Sequence, residues 1–232
     1  SGKKKVLASV LAGLAVAGAM GGIAPQQAMA GVDTGNSHVN IWAETSPKSN
    51  GQNYNVGQNS IVVGYQNTTD NVAGHDGKVA IGAKNTSTNN ASTAVGNENK
   101  ATGGAATAVG AGNTASGKAS VALGNVNNAD AKAAIAIGTY NNVNYTKGSW
   151  QTTPKPAGEY STVVGNYSSA TGTSASAMGV YTNATGAGSF AAGYNNNANG
   201  QNSVAIGSEN TSHVADTVTL GQFNNAKTMG GI

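Results

Sequence analysis

The sequence predicts an all-β protein, a parallel β-solenoid built from 14-residue coils. Three observations support this prediction. A short apolar segment that ends in Gly, called the phrase below, recurs along the chain. Eight of the ten intervals between those glycines have the same length of 14 residues. Within each phrase, branched and small side chains alternate. A fixed period is typical of stacked structural repeats. The alternation indicates a strand rather than a helix.

The first element is a segment typical of export. Three lysines precede an apolar run that ends at Met20, and AMA at residues 28–30 has the small-x-small form of a secretory cleavage site. We therefore predict a signal peptide, with an uncleaved transmembrane anchor as the alternative. The predicted divisions are a signal peptide at 1–30, a lead-in at 31–58, the repeats at 59–226 and the start of a following segment at 227–232.

Composition argues against nucleic acid as a partner. The chain has 12 Lys and Arg, all of them Lys, and 9 Asp and Glu. Removing the three lysines of the predicted signal leaves 9 basic and 9 acidic residues, a net charge of zero. A neutral chain without Arg lacks the basic patch and the bidentate donor used in nucleic-acid recognition. The chain also has no Cys, which excludes disulfides.

The repeat is aligned on the Gly that closes each apolar phrase. The two long intervals, of 18 and 27 residues, indicate insertions before the second and the seventh of these glycines. The second insertion, near residues 144–158, contains Trp and Pro and is expected to project from the solenoid. The aligned glycines are Gly64, Gly82, Gly96, Gly110, Gly124, Gly138, Gly165, Gly179, Gly193, Gly207 and Gly221.

Each phrase is predicted to be a strand with two apolar faces. The residue before the Gly is always apolar and the residue three before it is mostly β-branched, so we expect both to face a core. The residue between them is Ala in eight copies, and we expect it to need a cover that one chain cannot provide. Self-association through these alanines is therefore predicted. They are Ala80, Ala94, Ala108, Ala122, Ala136, Ala177, Ala191 and Ala205.

A weaker pattern follows each Gly. Asn stands three residues after it in nine copies, and Ala five residues after it marks a second, shorter strand. The Asn side chains either form a hydrogen-bonded ladder from coil to coil or stand in separate turns. A further Gly, such as Gly103 or Gly117, is expected at a corner with positive φ.

The repeated phrase is similar to that of a known family. NSVAIGSEN at 202–210, with NSIVVGYQN from Asn59 and ASVALGNVN from Ala119, resembles the unit of YadA-type heads in trimeric autotransporter adhesins. The resemblance extends to about Asn225. It implies a left-handed β-roll, a homotrimer, export through the inner membrane and display on a Gram-negative surface. Membrane attachment would be only through a C-terminal anchor that this sequence does not contain.

The resemblance also implies a non-enzymatic adhesin head without a cofactor. Its partner would be a matrix protein such as collagen, or a glycan or protein on a host or bacterial surface. The alternatives are a β-solenoid enzyme acting on polysaccharide and a passive structural or ice-binding solenoid. The candidate ligand contacts are Asn202, Ser203, Val204, Ala205, Ile206, Gly207 and Ser208 in the phrase, and Tyr145, Lys147, Trp150 and Lys155 in the insertion.

No catalytic or metal-binding residues are predicted. The chain has three histidines, and one of them, His75, adjoins an acid, Asp76. We interpret this pair as a solvated turn, with a metal site as the alternative. No nucleophile, base and orienting group occur together in the sequence.

Overall fold

The computed structural model describes residues 28–33, 38–43, 59–70, 72, 75–141 and 158–228, the first two ranges by their backbone alone. The described residues contain 23 strands in three sheets. In them, no helix has the length and apolar character needed to span a membrane. The parallel β-solenoid predicted from the repeat is confirmed.

A sheet of 13 strands forms the long wall of the solenoid. Its strands after the first pair are parallel, and each aligned Gly lies beside the Gly of the next coil. The strands are β1 (Ala28–Asp33), β2 (His38–Ala43), β3 (Ile61–Tyr65), β5 (Val79–Ala83), β7 (Thr93–Asn97), β9 (Thr107–Ala111), β11 (Val121–Asn125), β13 (Ile135–Thr139), β14 (Thr162–Asn166), β16 (Ser176–Val180), β18 (Phe190–Tyr194), β20 (Val204–Ser208) and β22 (Val218–Gln222).

Short strands of two residues form the opposite wall, in two separate sheets of five. The first sheet comprises β4 (Thr68–Thr69), β6 (Thr86–Ser87), β8 (Lys100–Ala101), β10 (Thr114–Ala115) and β12 (Asn128–Ala129). The second comprises β15 (Ser169–Ala170), β17 (Asn183–Ala184), β19 (Asn197–Ala198), β21 (Thr211–Ser212) and β23 (Asn225–Ala226). The division falls at the predicted second insertion, most of which lies outside the described residues. The long wall is continuous across it, because β13 pairs with β14.

The strand β1 spans the predicted signal-peptide boundary and pairs antiparallel with β2. Cleavage after Ala30 would remove half of β1, whereas β2 pairs with β3 and would remain on the long wall. The cleavage site stays a prediction.

The core of the solenoid consists mainly of alanines, with Val62 and Val163 in two of the coils. This corrects the prediction of which face of each strand points into the core. Ala94, Ala108, Ala122 and Ala136 are completely buried within one chain, together with alanines of the short wall. So short a coil leaves little space between its walls, and this space admits side chains the size of Ala. The larger side chains of the phrase consequently point out of the coil.

The Asn residues form a ladder, so the first of the two interpretations of this row is correct. The Asn113 Oδ1 accepts hydrogen bonds from the backbone N–H and the Nδ2 of Asn127, each at 3.0 Å. The Asn113 Nδ2 donates to Asn99 Oδ1, to Val109 O and to Gly124 O, at 3.0, 3.0 and 2.7 Å. Ser168 and Thr182 occupy the row directly after the second insertion and continue it with their hydroxyls.

Positive φ occurs at positions other than those predicted. Gly103 and Gly117 do not have positive φ, but a Cβ on either would lie about 2 Å from a carbonyl oxygen of the next coil. These glycines therefore permit close approach of two backbones. The left-handed corner is formed two residues later by non-glycine residues such as Ala105 and Ala119, with φ of 57° and 58°. Ala gives no sequence signal for this conformation.

Candidate functional site

The outer face of the long wall carries two rows of side chains, one apolar throughout and one apolar at seven of eleven positions, with Thr or Ser at the other four. One row is the residue before each aligned Gly, and the other is the residue three before it. None of these side chains is buried in one chain, and Ile61, Met178 and Leu220 are 44%, 45% and 58% exposed. The first row runs Val63, Ile81, Val95, Val109, Leu123, Ile137, Val164, Met178, Ala192, Ile206 and Leu220.

The eight alanines predicted to form the interface lie on the other face of the same strands. Ala80, Ala94, Ala108, Ala122, Ala136, Ala177, Ala191 and Ala205 are all 0% exposed in the single chain. A second chain cannot contact side chains that their own coil already encloses. This residue assignment was wrong, because alternation along a strand defines two faces without saying which of them lies inside.

The predicted ligand contacts at 202–208 lie in the corner before β20 and in β20 itself. Ser203 and Ala205 are completely buried, so a ligand cannot reach them in the folded chain. Asn202 is exposed, and its Nδ2 donates to Asp216 Oδ1 at 3.1 Å. Val204 and Ile206 belong to the outward apolar rows. The segment therefore combines core, wall and corner positions.

The other predicted contacts, Tyr145, Lys147, Trp150 and Lys155, lie outside the described residues. The residues that flank the insertion are described and carry an aromatic stack. Tyr140 and Tyr167 stack with ring centroids 5.0 Å apart, and Tyr167 stacks on Tyr181 at 5.5 Å. Tyr194 meets Tyr181 edge-on at 6.2 Å. The stack joins the coils on either side of the insertion, where the short wall is interrupted.

Near the second insertion, Lys132 lies beside the aromatic ring of Tyr160. The Lys132 ammonium lies 5.4 Å from the centroid of the Tyr160 ring. Its hydrogen bond to Tyr160 raises the pKa of Lys132, although the group is fully exposed. Tyr160 is 51% exposed, so this pair presents an aromatic and a charge to solvent.

Sequence reasoning did not find a shallow groove on a corner of the N-terminal coils. It crosses three coils and has a volume of about 560 Å³. Its polar side chains are those of Asn89, Asn90, Thr102, Ser116 and Lys118. Each of them is an ordinary corner residue of its coil, so no local pattern distinguishes them.

The two alternative functions, a polysaccharide-acting enzyme and an ice-binding solenoid, would each require a particular arrangement of side chains. No group of three or more His, Asp or Glu side chains that could hold a metal ion occurs among them. On the outer face of the short wall, the row that begins with Thr68 and Thr86 continues as Lys100, Thr114 and Asn128. A regular Thr surface of the kind that binds ice is therefore interrupted.

Comparison with known families identifies the repeat. The YadA head domain repeat, in a model of two copies, matches residues 101–127, 115–141, 157–182 and 184–210. No curated protein matches the chain. YadA heads are non-enzymatic parts of Gram-negative surface adhesins. The coils outside the matched residues have the same strands and the same Asn ladder. The matched residues, 101–141, 157–182 and 184–210, therefore consist of repeats of the YadA head type.

Proposed function

We propose that the chain is the head of a bacterial surface adhesin that acts as a homotrimer. The observation that carries this proposal is the apolar row directly before the aligned glycines, which lies on the outside of the long wall beside a second, mostly apolar row. With strands spaced by ~4.8 Å, eleven coils extend these rows over roughly 50 Å. Soluble monomers rarely leave a continuous apolar surface of this extent uncovered. Identical chains packed side by side about one axis would cover it with closed symmetry. The number three comes from the family resemblance.

The interface is tested by placing a charge on each wall in turn. Val109→Lys introduces a charge into the outward apolar row of β9, and we expect it to convert the trimer to monomers. The matched control is Thr114→Lys on β10, because the same row of the short wall already contains Lys100. Ala108→Lys would test folding rather than assembly, because Ala108 lies inside the coil.

The measurement is the molar mass by light scattering, with far-UV circular dichroism to confirm that each variant keeps its strands. The proposal predicts a trimer for the parent and for Thr114→Lys, and a folded monomer for Val109→Lys. A parent chain that is monomeric at micromolar concentration, or a Val109→Lys variant that stays trimeric, would refute this interface.

We propose that the assembled head binds a matrix protein such as collagen, or a glycan or protein on a host or bacterial surface. Three heads present each contact three times, which raises avidity without a strong single site. In the proposed trimer, Val204 and Ile206 would be covered by neighbouring chains. Asn202 and Ser208 would then be the accessible contacts of that phrase.

The second proposed contact region is the insertion that contains Tyr145, Lys147, Trp150 and Lys155. Deleting residues 145–158 and screening parent and variant against collagen, other matrix proteins, glycans and cells tests this role. Loss of binding with an unchanged melting temperature and molar mass would support recognition by the loop. A lower melting temperature with unchanged affinity would instead indicate that the loop packs on the coils.

The proposed location is the outer surface of a Gram-negative cell, reached after export through the inner membrane. N-terminal sequencing of the chain recovered from intact cells tests the first step, because cleavage after Ala30 leaves Gly31 as the first residue. A chain that retains residues 1–30 and stays with the inner membrane would refute this proposal and favour the uncleaved anchor.

A further inference from the structure

One coil of the solenoid contains a buried lysine. The residue four before each aligned Gly is buried in every coil and is Ser, Ala or Thr in ten of eleven copies. In the second coil it is Lys78, the largest completely buried side chain among the described residues. The interval with the four extra residues, between Gly64 and Gly82, contains this lysine. The lysine and the insertion therefore occur in the same coil.

The insertion supplies the partners of this lysine. The Lys78 Nζ lies 3.1 Å from Asp70 Oδ1 and donates a hydrogen bond to the backbone carbonyl of His75. The other carboxylate oxygen, Asp70 Oδ2, lies 2.6 Å from His75 Nδ1. Asp70 Oδ1 is inaccessible to solvent, and its contact with Nζ lacks the geometry of a hydrogen bond. The Asp70 carboxyl group thus contacts both an amine and an imidazole.

As an ion pair, this contact is poorly solvated. The Lys78 side chain is 0% exposed and that of Asp70 is 20% exposed. Removing two charges from water costs free energy that their attraction recovers only with good hydrogen-bond geometry, which Asp70 Oδ1 lacks. Formation of a neutral amide from the two groups would remove both charges. A buried lysine amine is also a recognised nucleophile in proteins.

We propose that Lys78 and Asp70 condense to an intramolecular isopeptide bond, with His75 as the group that transfers protons. The Lys78 ammonium first passes one proton to Asp70, which gives a neutral amine facing a carboxylic acid. The amine nitrogen then attacks Asp70 Cγ, and a new C–N bond forms. The proton first passed to Asp70 must reside on Oδ2, the oxygen that His75 Nδ1 contacts. His75 then takes one of the two protons of the nitrogen and delivers it to Oδ2, so that this oxygen leaves as water when its C–O bond breaks and the amide nitrogen keeps one proton.

The reaction balances without a further reactant. An ammonium and a carboxylate give one amide and one water molecule, with no change in total charge or oxidation state. The fold supplies proximity, which replaces the activation that amide formation otherwise requires. The product closes a ring through residues 70–78 and would fix the first insertion to the second coil. Local opening of the solenoid from this end would then be restricted.

Mass spectrometry of the denatured chain tests the proposal directly. The parent is expected to be lighter than its sequence by one water molecule, relative to the N-terminus found in the same sample. Digestion after lysine gives a second readout, because an acylated Lys78 is no longer cleaved. A single peptide covering residues 49–84, lighter by one water, should replace the separate peptides 49–78 and 79–84.

Substitutions test whether Lys78 forms the proposed bond and whether His75 assists its formation. Lys78→Arg keeps the positive charge but cannot form the amide, so its mass should equal that of its sequence. His75→Ala keeps both bonding residues and should leave a fraction of the chain uncondensed. The matched control is Lys84→Arg, because Lys84 and Glu98 form an exposed pair at 3.4 Å that should not condense. The control should retain the deficit of one water.

A parent chain of full sequence mass, with cleavage after Lys78, would overturn the proposal and identify the contact as an ion pair. A deficit of one water that persists in Lys78→Arg would also overturn it, because the loss would then arise elsewhere. These results do not depend on trimer formation or on ligand binding.

Discussion

Removing one amide from the Asn ladder should destabilise the whole head. Asn113 is completely buried, and its side chain makes five hydrogen-bond contacts: Oδ1 accepts two, and the two protons of Nδ2 are shared among three acceptors. In Asn113→Ala the backbone N–H of Asn127 loses its acceptor, and Gly124 O loses one donor. The variant therefore both removes contacts and leaves buried polar groups unpaired.

The magnitude follows from this count. A typical hydrogen bond contributes about 1 kcal/mol net, and an unpaired buried group costs about 1–3 kcal/mol. Five lost bonds, some of whose partners retain other contacts, give an expected loss of about 4 kcal/mol in the free energy of unfolding. Asn113→Ser should lose less, because Ser168 at the same position in its own coil donates to Gly179 O and accepts from the N–H of Thr182.

The assay is urea unfolding followed by circular dichroism at one fixed protein concentration, because assembly makes stability concentration-dependent. The control is Asn97→Ala, which removes an exposed Asn of the same wall and should change stability by less than about 0.5 kcal/mol. If Asn113→Ala were no more destabilising than Asn97→Ala, the ladder would not stabilise the solenoid, and the Asn residues would serve only as turn formers.

Two further predictions concern the glycines and the tyrosine stack. Gly110→Ala should prevent folding, because its Cβ would lie 1.9 Å from Gly124 O at a φ of +122°. Gly104→Ala is the control, since the nearest atom to its Cβ is 3.7 Å away, and equal soluble yields of the two variants would refute the steric argument. Tyr167→Ala should lower stability by about 1–3 kcal/mol, because it removes two stacked pairs at the interruption of the short wall. Calorimetry should show a smaller loss for Tyr160→Ala, whose ring has a single cation contact to Lys132, and the reverse order would contradict the role of the stack.

Much of the fold could be predicted from local sequence. The constant interval between aligned glycines determines the coil, and the alternation in phrases such as Val121–Asn125 determines the strand, because both depend on neighbouring residues. The aligned glycines are visible in the sequence, although the reason for them is a tertiary contact, because a Cβ there would meet the Gly carbonyl of the next coil. The family of the repeat could be identified from these features, and the family comparison agrees with it.

Local sequence did not decide which face of each strand lies inside. Ala108 and Val109 are both apolar, and alternation alone assigns them to opposite faces without naming the interior. The close spacing of the two walls makes the choice, because the interior admits Ala and excludes Val from most coils. For this reason the predicted alanine interface was wrong, although the need for a cover on the long wall remains.

Contacts between residues of different coils were likewise decided by the tertiary structure. The Asn ladder requires coils to stack in register, and the left-handed φ of Ala105 and Ala119 is imposed by the corner of the coil rather than by the residue type. The contact of Lys78 with Asp70 joins residues that no local sequence pattern predicts to meet. The sequence by itself determined the repeating unit. The tertiary structure decided which face of each strand points inward and which residues of different coils touch. Both depend on how closely the two walls and successive coils approach each other, and these parts are separated along the chain.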